Sequence, residues 1–102
     1  VPANWANEPR SIHQANHVLS RALDDDLVVY DPVTDQVSHL DAVAHVVWQH
    51  LAGTPTFAEL IDALIAIFDV DTDVISRDVA ALLDGLIEKQ LIELQNATPT
   101  SQ

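Results

Sequence analysis

A short hairpin that runs straight into three amphipathic helices is what most narrows the fold of this chain. Leu27-Val28-Val29-Tyr30 is β-branched and aromatic, a strand composition. Asp31-Pro32-Val33-Thr34-Asp35 is a turn, in which Pro32 presets φ for the second position. Val37 to Leu40 returns, with Val37 and His39 on one face and Ser38 and Leu40 on the other. A sheet this small leaves an edge strand with unpaired N–H and C=O groups, and a neighbouring helix supplies a groove beside it. The expected fold class is α+β: a small N-terminal antiparallel sheet of two to three strands, then three helices.

The helices are legible in turn. Asp41 can cap a helix from Ala42 to about Leu51, with Ala44, Val47, Trp48 and Leu51 on its buried face. Gly53 follows at a place where positive φ costs glycine least. Thr56-Phe57-Ala58-Glu59 is a capping box. Phe57, Leu60, Ile61, Leu64, Ile65 and Phe68 then repeat at i, i+3, i+4, making the second helix the most secure element. Asp69 to Asp73 is an acidic connector ending in an N-cap for a third helix that runs to about Gln90. Its core stripe is Ile75, Val79, Leu82 and Leu86, flanked by Leu83. Beside it runs a second stripe, Val74, Asp78, Ala81 and Gly85, small residues plus one carboxylate. The resulting arc is wider than one core contact needs. Two packing neighbours account for that width; so does a ligand groove floored by the small residues.

The ends divide the chain. Residues 1–16, with Pro2 and Pro9 as breakers, read as an irregular arm anchored by Trp5. Residues 17–94 form the domain, and 95–102 read as a disordered tail. Val18 to Ala22 suits a first strand or one helical turn. Leu23-Asp24-Asp25-Asp26 is a turn, because three adjacent carboxylates repel one another and seek water. Leu91 to Leu94 suits a short last strand.

Composition excludes several functions. There is no cysteine, so thiol chemistry and thiolate metal sites are ruled out, and a reducing cytoplasm fits. No run approaches the ~18 apolar residues of a membrane span. Sixteen Asp and Glu against four Lys and Arg give a net charge of −12. Phosphate backbones and anionic membranes are repelled by such a chain, and a basic peptide or protein surface is its complement. Neither nucleic acid nor membrane is therefore an expected partner.

Catalytic and metal motifs fail on inspection. Asp69-Val70-Asp71-Thr72-Asp73 imitates the start of a calcium loop, but Val74 stands where the sharp turn needs Gly and Ala80 where a bidentate Glu belongs. The five histidines show no His-Glu-x-x-His spacing. No serine has a Gly-x-Ser-x-Gly elbow, and two glycines cannot build a phosphate loop. Ser76 lacks the Asp-Ser-Leu context of an acyl-carrier attachment site. The expectation is a protein that is not an enzyme and carries no cofactor. Two other readings stand beside a peptide-binding one: a DNA-binding winged helix, and a structural dimerisation module. The first needs a basic third helix, yet Arg77 and Lys89 face Asp73, Asp78, Asp84 and Glu88. The second uses the same open edge for homodimerisation by strand exchange.

Several segments, in order, carry a family resemblance. They are Val29-Tyr30-Asp31-Pro32, Ser38-His39-Leu40-Asp41, Trp48, Leu51 to Thr56, Glu59-Leu60-Ile61, Phe68 to Asp71, Asp78-Val79, Leu82-Leu83, Leu86 and Leu91-Ile92. Together they resemble the PqqD-like proteins, the precursor-peptide recognition elements of peptide-modification pathways. Trp5 and Pro9 with Ser38-His39-Leu40 are most similar to the subgroup that accompanies a relative of HPr kinase. The resemblance implies a winged helix-turn-helix-like fold, with a three-stranded sheet and three helices. It implies that a precursor (leader) peptide adds as a strand to the last hairpin strand, beside the third helix, and is presented to a modifying enzyme, radical-type or kinase-related. Carried over, the peptide-binding residues are Val37, Ser38, His39 and Leu40, with Val74, Asp78, Ala81 and Gly85 opposite and Leu82 at the base. The chain departs from the family pattern at Gln90 and at Asp35-Gln36, where glycines are usual.

Overall fold

The computed structural model describes Trp5 and residues 8–95. The expected tail from Asn96 to Gln102, and the arm at residues 1–4 and 6–7, lie outside the described residues. The chain runs β1 (Ser11–Gln14), β2 (Leu19–Leu23), β3 (Asp26–Asp31), β4 (Gln36–Leu40), α1 (Ala42–Leu51), α2 (Phe57–Phe68), α3 (Thr72–Glu88) and β5 (Ile92–Gln95). This is an α+β fold. No helix among the described residues is long and apolar enough to cross a membrane.

Local chemistry sets most boundaries. Asp41 caps α1, its Oδ1 accepting from the Ala44 N–H at 2.9 Å, and Ala44, Val47, Trp48 and Leu51 are buried below. In α2 the Thr56 hydroxyl accepts from Glu59 N–H at 3.3 Å while the Glu59 carboxylate accepts from Thr56 N–H at 2.9 Å. Two expected caps lie elsewhere. The left-handed residue after α1 is Thr54, at φ 53, and Gly53 has no positive φ. The N-cap of α3 is Asp71 rather than Asp73, without a side-chain cap bond.

The three-stranded sheet has the order β2-β3-β4. Leu19 pairs with Tyr30 and Tyr30 with Val37; Arg21 pairs with Val28 and Val28 with His39. Asp24 and Asp35 take positive φ in the two turns, so Asp35 does the work usual for glycine there. The segment Val18 to Ala22, read as a strand or one helical turn, is a strand: it falls on β2.

The short strand expected at Leu91–Leu94 is β5, set one residue later, and it pairs with β1 in a second sheet that the sequence does not predict. Ser11 pairs with Gln95 and Gln14 with Ile92. The expected irregular arm to Asn16 is thus corrected over Ser11–Gln14, and Gln95, expected in the tail, is the last residue of β5. Ile12 N–H donates to Pro55 O at 2.8 Å and Ala15 N–H to Leu91 O at 2.9 Å, which lock β1 over the core. Trp5 is buried against Phe57, ring centroids 5.8 Å apart, and its Nε1–H donates to Asp84 Oδ1 at 2.7 Å.

One core joins both sheets to all three helices. Ile12, Leu51, Leu60, Leu64, Leu83 and Leu91 are fully buried. Each such aliphatic side chain contributes about 1.5–3 kcal/mol of transfer free energy. On α3 the buried residues are Ile75, Val79, Leu83 and Leu86, so the core takes Leu83 where Leu82 was expected. Leu82 is only partly buried. That rotation matters for the site.

Candidate functional site

The hairpin presents β4 as an edge. Among the described residues β4 pairs with β3 alone, and its other side carries free backbone groups. Beyond that side lies a cleft of about 450 Å³. One wall is the end of β4 and the start of α1: His39, Leu40, Asp41, Val43, Ala44 and Val47. The other is one face of α3: Ile75, Asp78, Val79, Ala81, Leu82, Gly85, Leu86 and Lys89. The lining is mostly aliphatic, with Asp41, Asp78 and Lys89 as its charged groups.

Of the nine residues proposed from the sequence, six line this cleft: His39, Leu40, Asp78, Ala81, Leu82 and Gly85. Three do not. Ser38 is buried under the sheet. Val37 is 65 % exposed on the outer face, two residues before His39. Val74 is 45 % exposed, one turn before Asp78 and short of the cleft. The α1 wall was missed because Ala44 and Val47 satisfy the core stripe of that helix; neighbouring Val43, 49 % exposed, was the available signal.

The hairpin is held at both ends. Asp31 is buried at the end of β3, its Oδ1 accepting from Val33 N–H at 2.9 Å and Thr34 N–H at 3.4 Å. Burial pushes its carboxyl up; the Val33 and Thr34 donors, with His17 at 3.3 Å, outweigh that and hold it below the usual carboxylate range. Tyr30 Oη donates to Asp35 at 2.7 Å, and that bond to a carboxylate raises the phenol above its ordinary value. His39 Nε2 lies 2.8 Å from Asp26 Oδ2, so its ring leans along the outer face while its backbone stays on the edge. His45 Nδ1–H donates to Asp25 O at 2.8 Å, tying α1 to the β2–β3 turn.

The remaining histidines are dispersed. His13 meets Ser11 Oγ at 2.8 Å, and His50 Nδ1–H donates to Val46 O within its own helix. Among the described residues no three metal-capable side chains converge. The cleft offers apolar walls, a row of backbone donors and acceptors, and no nucleophile paired with a base. Such a site has the shape and the hydrogen-bonding groups to take an extended chain.

Comparison with known proteins agrees with that architecture. Residues 26–92 match the family described as coenzyme PQQ synthesis protein D (PqqD). A PqqA binding protein of Xanthomonas euvesicatoria pv. vesicatoria (strain 85-10) is 40% identical over 60 residues, 59% of this chain. A PqqA binding protein of Xanthomonas campestris pv. campestris (strain 8004) is 38% identical over 60 residues. The chain spans 65% of the length of these curated relatives. A solved structure of TbiB1 in complex with the TbiA(beta) leader peptide superposes with a TM-score of 0.74 at 28% identity, covering 88% of this chain and 99% of that one.

Proposed function

This chain belongs to the PqqD family, and from that premise we propose that it is a non-catalytic module that holds a precursor peptide as an added strand on β4 and presents it to a modifying enzyme. The observation that carries the reading is the open β4 edge facing an apolar cleft walled by α1 and α3. Main-chain hydrogen bonds along an edge give sequence-tolerant affinity, and pockets for alternate side chains give selectivity. Relatives that bind PqqA and a like-folded protein solved with a leader peptide support the same class of guest.

The peptide-binding set we propose keeps Val37, Ser38, His39 and Leu40 as the strand that receives the guest. Asp78, Ala81, Leu82 and Gly85 face it, with Val74 at the outer margin. Asp41 and Asp78 favour Lys or Arg on the guest, so association weakens as salt rises. Assignment to the branch accompanying a relative of HPr kinase is supported by Trp5, Pro9 and Ser38-His39-Leu40. A cytoplasmic setting is supported by the absence of cysteine. DNA is a poor fit, because α3 carries more carboxylates than cations.

The test is an amide-resolved NMR titration of the full chain with peptides encoded beside its gene, at low and high salt. Shifts concentrated in Gln36–Leu40 and on the Asp78–Lys89 face of α3, weaker at high salt, are expected. Shifts elsewhere, with those residues silent, overturn the placement.

A further inference from the structure

Gly85 lies inside α3, one turn before its end, where glycine weakens a helix relative to alanine. The fold gives no reason for it. Its φ is not positive, and a Cβ built there meets no heavy atom within 4 Å. The space that the missing side chain leaves belongs to the cleft, between Ala81 and Lys89 on the same helical face and close to Leu82 and Leu86.

We propose that Gly85 is a specificity residue, whose missing side chain seats one bulky apolar side chain, leucine-sized or aromatic, of the strand that adds to β4. The inference rests on the function proposed above and sharpens it: the guest is extended, carries a large apolar residue at the point passing Gly85, and carries Lys or Arg within reach of Asp78. Helix stability is given up at Gly85 in exchange for depth in the cleft. A side chain at Gly85 fills that depth, so the guest residue must shrink.

The test pans phage-displayed random nine-residue peptides against the full chain and against its Gly85→Leu variant. Selected peptides are mapped by amide shifts, and thermal unfolding of Gly85→Ala is followed alongside. The wild type is expected to select Leu, Phe or Trp at one position. Gly85→Leu is expected to bind those peptides tenfold or more weakly and to select Ala, Ser or Gly there, since one methylene in an apolar pocket changes affinity by about tenfold or more. Gly85→Ala is expected to raise Tm by about 2–6 °C while lowering affinity severalfold, and it carries the test should Gly85→Leu fail to fold. Peptides that map to β4 and bind wild type and variants equally overturn the role of Gly85 and leave the site standing. Selected peptides that map away from β4, or no selected peptides at all, overturn the site itself.

Discussion

β1 and β4 are short strands, each paired with one other strand, and they meet opposite fates. The free side of β1 is taken up by the chain itself: Ile12 donates to Pro55, Ser11 bridges to Thr56, and Gln14 Nε2–H donates to Trp48 O at 2.8 Å. The free side of β4 opens on a cleft. The N-terminal segment therefore closes the core next to β5 and leaves the hairpin edge vacant. β2 adds the second half of the lesson. It too is an edge among the described residues, but all five of its residues are exposed, and the hollow of about 470 Å³ beside it is lined by β2 and β3 alone, through Leu19, Ser20, Arg21, Leu23, Val28 and Tyr30. An unpaired strand offers a guest a place only when something beside it can receive side chains.

The largest expected contrast is in stability. Ile12→Ala on β1 removes a fully buried side chain and should cost about 2–5 kcal/mol, read as a lower urea midpoint. Val37→Ala on β4 should stay within about 0.5 kcal/mol, as an exposed substitution does. Equal losses at the two positions would erase the distinction between a closed strand and an open one.

A smaller gain should come from the junction that brings β5 to β1. Gln90 takes φ 62 at the end of α3, with Gln90 N–H donating to Ile87 O and Leu91 N–H to Leu86 O, both at 2.9 Å. This is a Schellman cap with glutamine where glycine is cheapest. Gln90→Gly should stabilise the fold by about 0.5–1 kcal/mol, the left-handed strain relieved less the extra freedom of the unfolded chain. No gain in Tm would mean the junction is unstrained.

The smallest effect concerns the turn that sets the register of β4. Asp31 has a lowered folded pKa, so between that value and the ordinary carboxylate range the unfolded chain binds more protons. Stability from Asp31 is thus present at neutral pH and lost as pH falls below about 4. Urea midpoints between pH 7 and 3 should show a shallower acid decline for Asp31→Asn. An unchanged slope would remove Asp31 from the account.

What the sequence made legible was local. The Asp41 cap, the Thr56–Glu59 box and the α2 stripe depend on residues within a turn of each other, and each stands where spacing placed it. The β1–β5 pair depends on residues about 80 positions apart, which no local pattern encodes. The α3 register was ambiguous for a physical reason. Leu82 and Leu83 both continue a helical stripe from Ile75 and Val79, and packing chose Leu83, which turned Leu82 partly toward the cleft. Asp71 and Asp73 were equally good caps by composition. In the candidate site, the end of β4 and the small-residue face of α3 that line the cleft were readable, whereas the α1 wall was masked by the core role of Ala44 and Val47.

Amide hydrogen exchange of the chain with a bound precursor peptide tests the central claim most directly. Alternate amides in Gln36–Leu40 already face β3, so the others there should gain protection, while Leu19–Leu23 on the unwalled edge should not change. Protection arising on β2, or a bound peptide that leaves every β4 amide exchanging as before, would contradict it.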